Sequence, residues 1–464
     1  MTYPPLREPL PQKESQAFEA PDVIRTRFSD ALSHMYRAEV PQYGTLLELV
    51  ADINTVAVRR DPLLLPSKPD SARLDVERHG AIRLGTPYEL HTIRRIFAVM
   101  GMHPVGYYDL SVAGVPVHST AFRPVAGASL AANPFRVFTS LLRLDLIEDT
   151  ALKDLAAEIL RERNIFSARA LELTDKAEAR GGLTARETDE FIVEVLQTFR
   201  WHGEATVSRE VYERLRSVHR LIADVVCFTG PHINHLTPRT LDIDAAQAEM
   251  SLRGIEPKES IEDPPPRSIP ILLRQTSFKA LEEPFRFAET QAQGAHTARF
   301  GEIEQRGIAL TRKGRALYDT LLQMARSDSG GDARKHEERL AHAFKAVPDT
   351  LEALRREQLG FFRYALLPHT SLPAGDTFDI DDLVDQGVVS ATPITYEDFL
   401  PVSAAGIFQS NLGDAEPKAY SDVTVQAEFE QALGASVLDA IALYQAEQDA
   451  SIAEVIRDIK RLAP

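Results

Sequence analysis

The sequence predicts an α+β fold, in which a mixed sheet or barrel core is interrupted by helical layers. Between residues 82 and 138, short segments rich in β-forming residues are punctuated by glycine and proline, which is typical of strands and turns. Residues 145–225 instead carry apolar residues at helical spacing between charged residues, which indicates long amphipathic helices. Strand-like segments then return at 222–228, 269–273 and 298–310. We therefore expect a helical insertion at about residues 145–220.

The other elements are predicted to be helices, since their apolar residues recur every three or four positions. Such a pattern runs through residues 23–60 on both sides of Pro41, and proline at that position predicts a break between two helices. Further helical patterns occupy residues 87–100, 313–326, 335–358, 425–445 and 448–462.

Composition and charge limit the classes of partner. The chain has 464 residues, of which 44% are hydrophobic and 26% charged, which is ordinary for a globular protein with a sizeable core. Its net charge of −16 argues against nucleic acid or an anionic membrane as a partner, because both would repel it. Cys227 is the only cysteine, which excludes an intrachain disulfide and a cysteine-rich metal site and favours the reducing cytoplasm.

The length allows either one large domain or two to three smaller ones. Residues 1–22 are polar and proline-rich, and they are predicted to be a flexible tail ahead of a single catalytic domain at 23–464. There is no run of about 18 apolar residues, so no transmembrane helix is expected.

Three short segments, far apart in the chain, offer metal ligands and a cation. The first holds His79 and Arg83, the second His232 and His235, and the third Glu302 and Glu304. Two neutral nitrogens and one carboxylate on one face of a metal is the ligand set that suits Fe(II), with positions left for a chelating substrate and O₂.

The alternation of side chains along a strand reduces the number of possible metal ligands, but it does not identify all of them. Residues three apart on a strand point to opposite faces, so at most one of His232 and His235 would face a barrel interior. Glu302 and Glu304 point to the same side of a strand, and their spacing does not choose between them. Taken alone, each segment also has an ordinary interpretation: a surface His-Arg pair, a structural histidine, or a solvated strand face. The sequence has no phosphate-binding glycine loop, nucleophile elbow or zinc-protease helix motif.

Six longer strings resemble the bacterial 2-oxoadipate dioxygenase/decarboxylase family, which is also called 2-hydroxyglutarate synthase. The resemblance runs from about residue 25 to 445, and its strings lie at residues 40–50, 78–83, 114–123, 230–239, 296–307 and 396–411. That family is similar in fold to the vicinal-oxygen-chelate enzymes. The resemblance therefore implies a β-barrel or curved sheet core that holds Fe(II) and carries large helical insertions.

The resemblance also implies the site and the reaction. It assigns the metal to His79, His235 and Glu302, and substrate contacts to Arg83 and Val402. The implied reaction converts 2-oxoadipate and O₂ into 2-hydroxyglutarate and CO₂, late in lysine catabolism. Two other functions fit the same scaffold: a zinc hydrolase or lyase, because two histidines and a glutamate also suit catalytic zinc, and a 2-oxo acid sensor without turnover.

Overall fold

The computed structural model of the protein describes most of the chain. The described residues are 17–61, 64, 68–258, 261–262, 264–278, 282–287, 290, 292–297, 299–326, 333–368, 378–400 and 423–462. Its helices are α1 (Pro21–Glu39), α2 (Pro41–Arg60), α3 (Lys68–Val76), α4 (Pro87–Val99), α5 (Gly127–Ala132), α6 (Thr150–Glu162), α7 (Ala168–Arg180), α8 (Ala185–Leu196), α9 (Arg209–Val218), α10 (Arg220–Val226), α11 (Ile243–Leu252), α12 (Arg312–Arg326), α13 (Ala333–Ala343), α14 (Leu351–Arg356), α15 (Ile380–Asp385), α16 (Val423–Leu433) and α17 (Ala440–Leu462).

The strands confirm the mixed helix-and-sheet class. They are β1 (Arg78–Leu84), β2 (His103–Asp109), β3 (Val117–Arg123), β4 (Arg136–Leu142), β5 (Glu204–Ala205), β6 (Leu236–Pro238), β7 (Leu273–Ser277), β8 (Glu282–Phe287), β9 (Gln293–Thr297), β10 (Glu302–Arg306), β11 (Phe362–Leu366) and β12 (Val389–Pro393).

The main sheet has the strand order β2-β3-β4-β1-β6. Strands β1 and β4 are parallel, and the other neighbours in this sheet are antiparallel. Beyond β6 the sheet continues towards β10, because the Thr240 N–H donates to the Glu304 carbonyl oxygen at 2.7 Å and Arg239 forms a parallel bridge with Glu304. Strand β10 in turn pairs with β7. Among the described strands these pairings leave the sheet open, so the closed barrel is not found.

The two faces of the main sheet belong to different parts of the core. On one face, Ile82 and Val137 pack with apolar side chains of α1, α2, α4, α7 and α8. On the other face, Ala81 and Phe138 pack with side chains of α9 and α10 and of the segments that follow β7. His79 and Arg83 alternate with Ile82 along β1, so they lie on the second face, with Ala81 between them.

The predicted strand at 222–228 is wrong, because this segment lies mainly in α10. The His219 side chain caps the helix by accepting a hydrogen bond from the Leu221 N–H at 3.1 Å. Every residue from Leu221 to Val226 is buried, and all but Asp224 are apolar, so the segment shows a nearly unbroken apolar run rather than a helical period. Such a run does not distinguish a buried strand from a buried helix.

Other predicted boundaries also shift. The strand expected at 269–273 begins only at Leu273, and the one expected at 298–310 is confined to Glu302–Arg306. The helix expected at 335–358 is divided into α13 and α14 around Pro348. Near the end of the chain, Gly434 ends α16 with a φ of +72°, and α17 then runs without the interruption expected near residue 446.

The pair of helices around Pro41 and the helix at 87–100 are confirmed as α1, α2 and α4. Helices α6 to α9 fill most of the block predicted to be helical at 145–220. Among the described residues, no helix combines the length and apolar character that crossing a membrane requires.

Candidate metal centre

His79 lies on β1, where strands pair on both sides. It is opposite Arg136 on β4 and Thr237 on β6, and its side chain is 1% exposed. The next residue, Gly80, allows the chain before β6 to come close. A Cβ atom there would lie 2.5 Å from Cδ1 of Ile233 and 3.1 Å from the carbonyl oxygen of His235. Glycine at this position therefore brings His235 next to His79.

His235 and His232 occupy the extended segment before β6, and their side chains reach different surroundings. Backbone hydrogen bonds fix the segment, from the Ile233 N–H to the Phe199 carbonyl and from the Asn234 N–H to the Ala81 carbonyl. The rings of His79 and His235 meet edge to face, with centroids 5.3 Å apart. His232 Nε2 instead lies 3.4 Å from Asp224 Oδ1. The expectation that the two histidines diverge agrees with this geometry.

Glu302 on β10 completes a buried cluster. Its Oε1 atom lies 3.0 Å from His79 Nε2 and 3.8 Å from His235 Nε2. One ligand atom from each of the three residues lies within 4.8 Å of the other two. Oε1 also accepts hydrogen bonds from the Thr237 hydroxyl at 2.9 Å and from Gln275 Nε2 at 2.7 Å. These contacts fix the carboxylate towards the two imidazoles.

Glu304 lies on the opposite edge of the His79 ring. Its Oε2 atom is 2.9 Å from His79 Nδ1, and Arg306 donates to both of its carboxylate oxygens at 2.8 and 2.9 Å. Both glutamates therefore lie on the same side of β10, as the sequence predicts, with Glu302 at Nε2 and Glu304 at Nδ1. Neither belongs to a solvated strand face, because Glu302 is 1% and Glu304 0% exposed.

The surrounding charges and burial act differently on the two histidines. Burial alone would lower the pKa of His79, but Glu304 and Glu302 outweigh it and raise the pKa above its ordinary value. For His235 burial dominates and lowers the pKa to about 4, so this imidazole is neutral at pH 7. The two carboxylates thus stabilise one positive charge beside His79. A divalent cation at the same place would satisfy the same electrostatic demand.

The cluster fits a metal ion by two further observations. Within the described part of the chain, the Glu302 Oε2 atom is buried without a hydrogen-bond partner. Buried polar atoms normally have partners, so this oxygen points to a ligand or ordered water at the cluster. The rings of Phe399 and Phe300 pack against His79 and His235 at 5.0 and 4.8 Å, and they keep bulk water away. Two imidazoles and one carboxylate suit Fe(II) and also zinc.

Arg83 follows His79 on the same face of β1, and its side chain is 16% exposed. Its Nη1 atom donates to Asp224 Oδ2 at 2.8 Å. His79 and Arg83 thus lie on one side of the strand. Val402 belongs to residues 401–422, which are outside the described part of the chain.

Sequence reasoning missed the residues that support these side chains: Asp224, Thr237, Gln275 and Arg306. A signal was present for two of them. Asp224 interrupts the apolar run at 222–228, and a charge within such a run is costly unless it is paired. Arg306 lies two residues after Glu304, so alternation along a strand places the two side chains on one face. For Thr237 and Gln275 the local sequence carries no comparable signal.

The chain matches one family of known proteins along most of its length. A family model described as 2-oxoadipate dioxygenase/decarboxylase matches residues 28–411. The 2-oxoadipate dioxygenase/decarboxylase of Escherichia coli K12 is 57% identical over 439 residues, which cover 93% of this chain and 97% of the relative. The protein of the same name from Pseudomonas putida KT2440 is 54% identical over 448 residues, with coverages of 94% and 96%.

A solved structure gives the same result. The crystal structure of hydroxyglutarate synthase from Pseudomonas putida, in complex with 2-oxoadipate, superposes with a TM-score of 0.88 at 52% sequence identity. The match covers 96% of this chain and 99% of that structure.

Proposed function

Because this chain belongs to the 2-oxoadipate dioxygenase/decarboxylase family, we propose that it converts 2-oxoadipate and O₂ into 2-hydroxyglutarate and CO₂, in lysine catabolism. Carbon 1 of the substrate leaves as CO₂, carbon 2 becomes a carboxylate and carbon 3 gains a hydroxyl group. The two atoms of O₂ balance the two new carbon–oxygen bonds. The buried cluster of two histidines and one glutamate is the observation in the structure that carries this proposal.

We propose that His79, His235 and Glu302 hold Fe(II). Their converging ligand atoms, their burial and the unpartnered Glu302 Oε2 support this assignment. Bound Fe(II) would supply electrons, together with coordination positions for a 2-oxo acid and for O₂. Thr237 and Gln275 orient the Glu302 carboxylate.

We propose Arg83 and Val402 as substrate contacts. Arg83 lies on the face of β1 that carries His79, and a guanidinium pairs with a carboxylate through two parallel hydrogen bonds. 2-Oxoadipate has two carboxylates, so such a pair fixes which carbon faces the metal. The assignment of Val402 depends on the resemblance of residues 396–411 to the family.

The remaining proposals concern architecture and location. We propose that the open sheet is a vicinal-oxygen-chelate arrangement, because strands β1 and β10 and the segment before β6 deliver the three ligands to one place. We propose one catalytic domain at 23–464, since both parts of the core pack on the main sheet. A free, buried Cys227 fits a reducing cytoplasm.

The test is turnover by protein that has been reconstituted anaerobically with Fe(II). We expect 2-oxoadipate and O₂ to give 2-hydroxyglutarate, identified by mass spectrometry, and the zinc-loaded protein to give none. A different product, formed from 2-oxoadipate by the zinc form without O₂ consumption, would instead indicate a hydrolase or lyase. Tight binding of 2-oxoadipate without product in either form would indicate a sensor.

Glu304→Gln is expected to weaken Fe(II) binding by about ten- to a hundredfold, the usual effect of losing a partner of a ligating histidine. The reason is that the Glu304 carboxylate lies 2.9 Å from His79 Nδ1 and favours a proton there, which would leave Nε2 for the metal. Anaerobic Fe(II) titration measures the change. Glu89→Gln is the matched control, because Glu89 is also buried and pairs with a different arginine, Arg163. This control should lower the stability of the protein and keep its Fe(II) affinity. Equal Fe(II) affinities for the wild type, Glu304→Gln and the control would contradict the role of Glu304.

A further inference from the structure

We propose that Asp224 is a positioning residue, which fixes the guanidinium of Arg83 in the orientation that receives a substrate carboxylate. The proposal rests on the proposed role of Arg83 as a substrate contact. Asp224 lies on α10 and is 6% exposed, and its Oδ2 atom accepts a hydrogen bond from Arg83 Nη1 at 2.8 Å. A guanidinium carries its donors in one rigid plane. A fixed contact at Nη1 therefore sets the direction in which the rest of the guanidinium points.

A hydrogen bond from His296 also fixes Oδ1, the other carboxylate oxygen of Asp224. His296 Nε2 lies 2.9 Å from Asp224 Oδ1, and His296 Nδ1 lies 2.9 Å from the Tyr212 hydroxyl. These partners assign the proton of His296 to Nε2, so that the imidazole donates to Asp224 and accepts from Tyr212. Side chains from α9, α10 and β9 thus form one chain of hydrogen bonds that ends at Arg83.

Aromatic rings enclose this chain. Trp201 stacks parallel to His296, with centroids 6.4 Å apart and an interplanar angle of 11°, and Phe228 packs at 5.0 Å. Burial alone would raise the pKa of Asp224, but the two imidazoles and the guanidinium around it lower the pKa below its ordinary value. An ionised carboxylate in such surroundings is retained only with good partners, and it holds those partners firmly.

Asn234 supplies a second constraint on Arg83. With its amide oriented to suit its neighbours, the side-chain oxygen accepts from Arg83 Nη1 at 2.9 Å and from His232 Nε2 at 3.2 Å. Asn234 is directly followed by His235. The orientation of the guanidinium is therefore tied to the segment that carries a proposed metal ligand. His232, the histidine outside the metal cluster, belongs to this arrangement through its 3.4 Å approach to Asp224.

Asp224→Asn tests the proposal, because it keeps the shape of the side chain and removes its charge. We expect the dissociation constant of 2-oxoadipate, measured by anaerobic calorimetry on the Fe(II) protein, to rise about ten- to a hundredfold. Fe(II) affinity should stay within about twofold of the wild type, since Asp224 contacts no proposed ligand. Adding Asp224→Asn to Arg83→Gln should weaken binding no further, because the first residue acts through the second.

Two more variants complete the test. Asp22→Asn alters the ion pair of buried Arg25 on the other side of the main sheet, and it should leave substrate binding unchanged. Tyr212→Phe removes only the hydroxyl at the far end of the chain of hydrogen bonds. It should raise the dissociation constant about threefold, and it decides the question if Asp224→Asn does not fold.

Unchanged binding in Asp224→Asn, or in Tyr212→Phe if that variant must decide, would overturn the proposal. Additive losses in the Asp224/Arg83 pair, or loss of Fe(II) together with substrate affinity, would also overturn it. Failure of the proposed function looks different, because the wild-type protein itself would then neither bind 2-oxoadipate nor release 2-hydroxyglutarate.

Discussion

His235→Ala is expected to abolish tight Fe(II) binding, whereas His232→Ala is expected to retain it. Removing a ligand costs more than removing a ligand's partner, which alone weakens metal binding by up to about a hundredfold. His235 Nε2 faces the cluster with His79 and Glu302, and His232 Nε2 faces Asp224. Anaerobic Fe(II) titration followed by metal analysis of the desalted protein measures both effects.

The two histidine variants control each other, because both remove a buried imidazole from the same extended segment. Thermal unfolding of the metal-free proteins measures any loss of stability that the two variants share. Such a loss is then not mistaken for a loss of metal binding. Equal loss of metal from both variants, at similar stability, would contradict the assignment of His235.

Arg83→Lys is expected to reduce kcat/KM for 2-oxoadipate by about a hundredfold or more, as misplacement of a substrate by about 1 Å does. Lysine keeps the positive charge, but its ammonium group cannot form the two parallel hydrogen bonds of a guanidinium. The contact to Asp224 would be lost or moved as well. Initial rates of O₂ consumption at several concentrations of 2-oxoadipate measure the change.

Arg95→Lys serves as the matched control for this substitution. The Arg95 side chain is 21% exposed, against 16% for Arg83, and it also pairs with acidic side chains, Asp175 and Glu178. It belongs to α4, which packs on the other face of the main sheet. Arg95→Lys should turn over normally, and near-normal turnover by Arg83→Lys would contradict the role of Arg83 as a clamp.

Much of the fold could be predicted from local pattern. The helices around Pro41 were predictable because proline interrupts a clear helical period. Helix α10 was not, because burial on all sides removes the polar residues that reveal a period. Its one buried polar residue, Asp224, is paired by side chains that lie far away in the sequence.

The site, like the fold, could be predicted only in part from local pattern. The side chains of His232 and His235 diverge, but both residues lie just before β6 and not within a strand. Strand alternation therefore agrees with this divergence without explaining it. It does not rank Glu302 and Glu304, since both lie on one side of β10 and both touch the His79 ring. Their difference comes from one local and one tertiary contact. Arg306, two residues further along β10, engages Glu304, while Glu302 faces the second imidazole from a distant part of the chain. The choice of Glu302 in the sequence analysis depended on the family resemblance.

The most direct test of the central claim is the isotopic composition of the product formed under ¹⁸O₂. If the chain is a dioxygenase that also decarboxylates its substrate, 2-hydroxyglutarate should carry label in both the hydroxyl group and the new carboxylate, and the released CO₂ should carry none. Mass spectrometry with fragmentation distinguishes these positions. A product without label under ¹⁸O₂ would contradict the account.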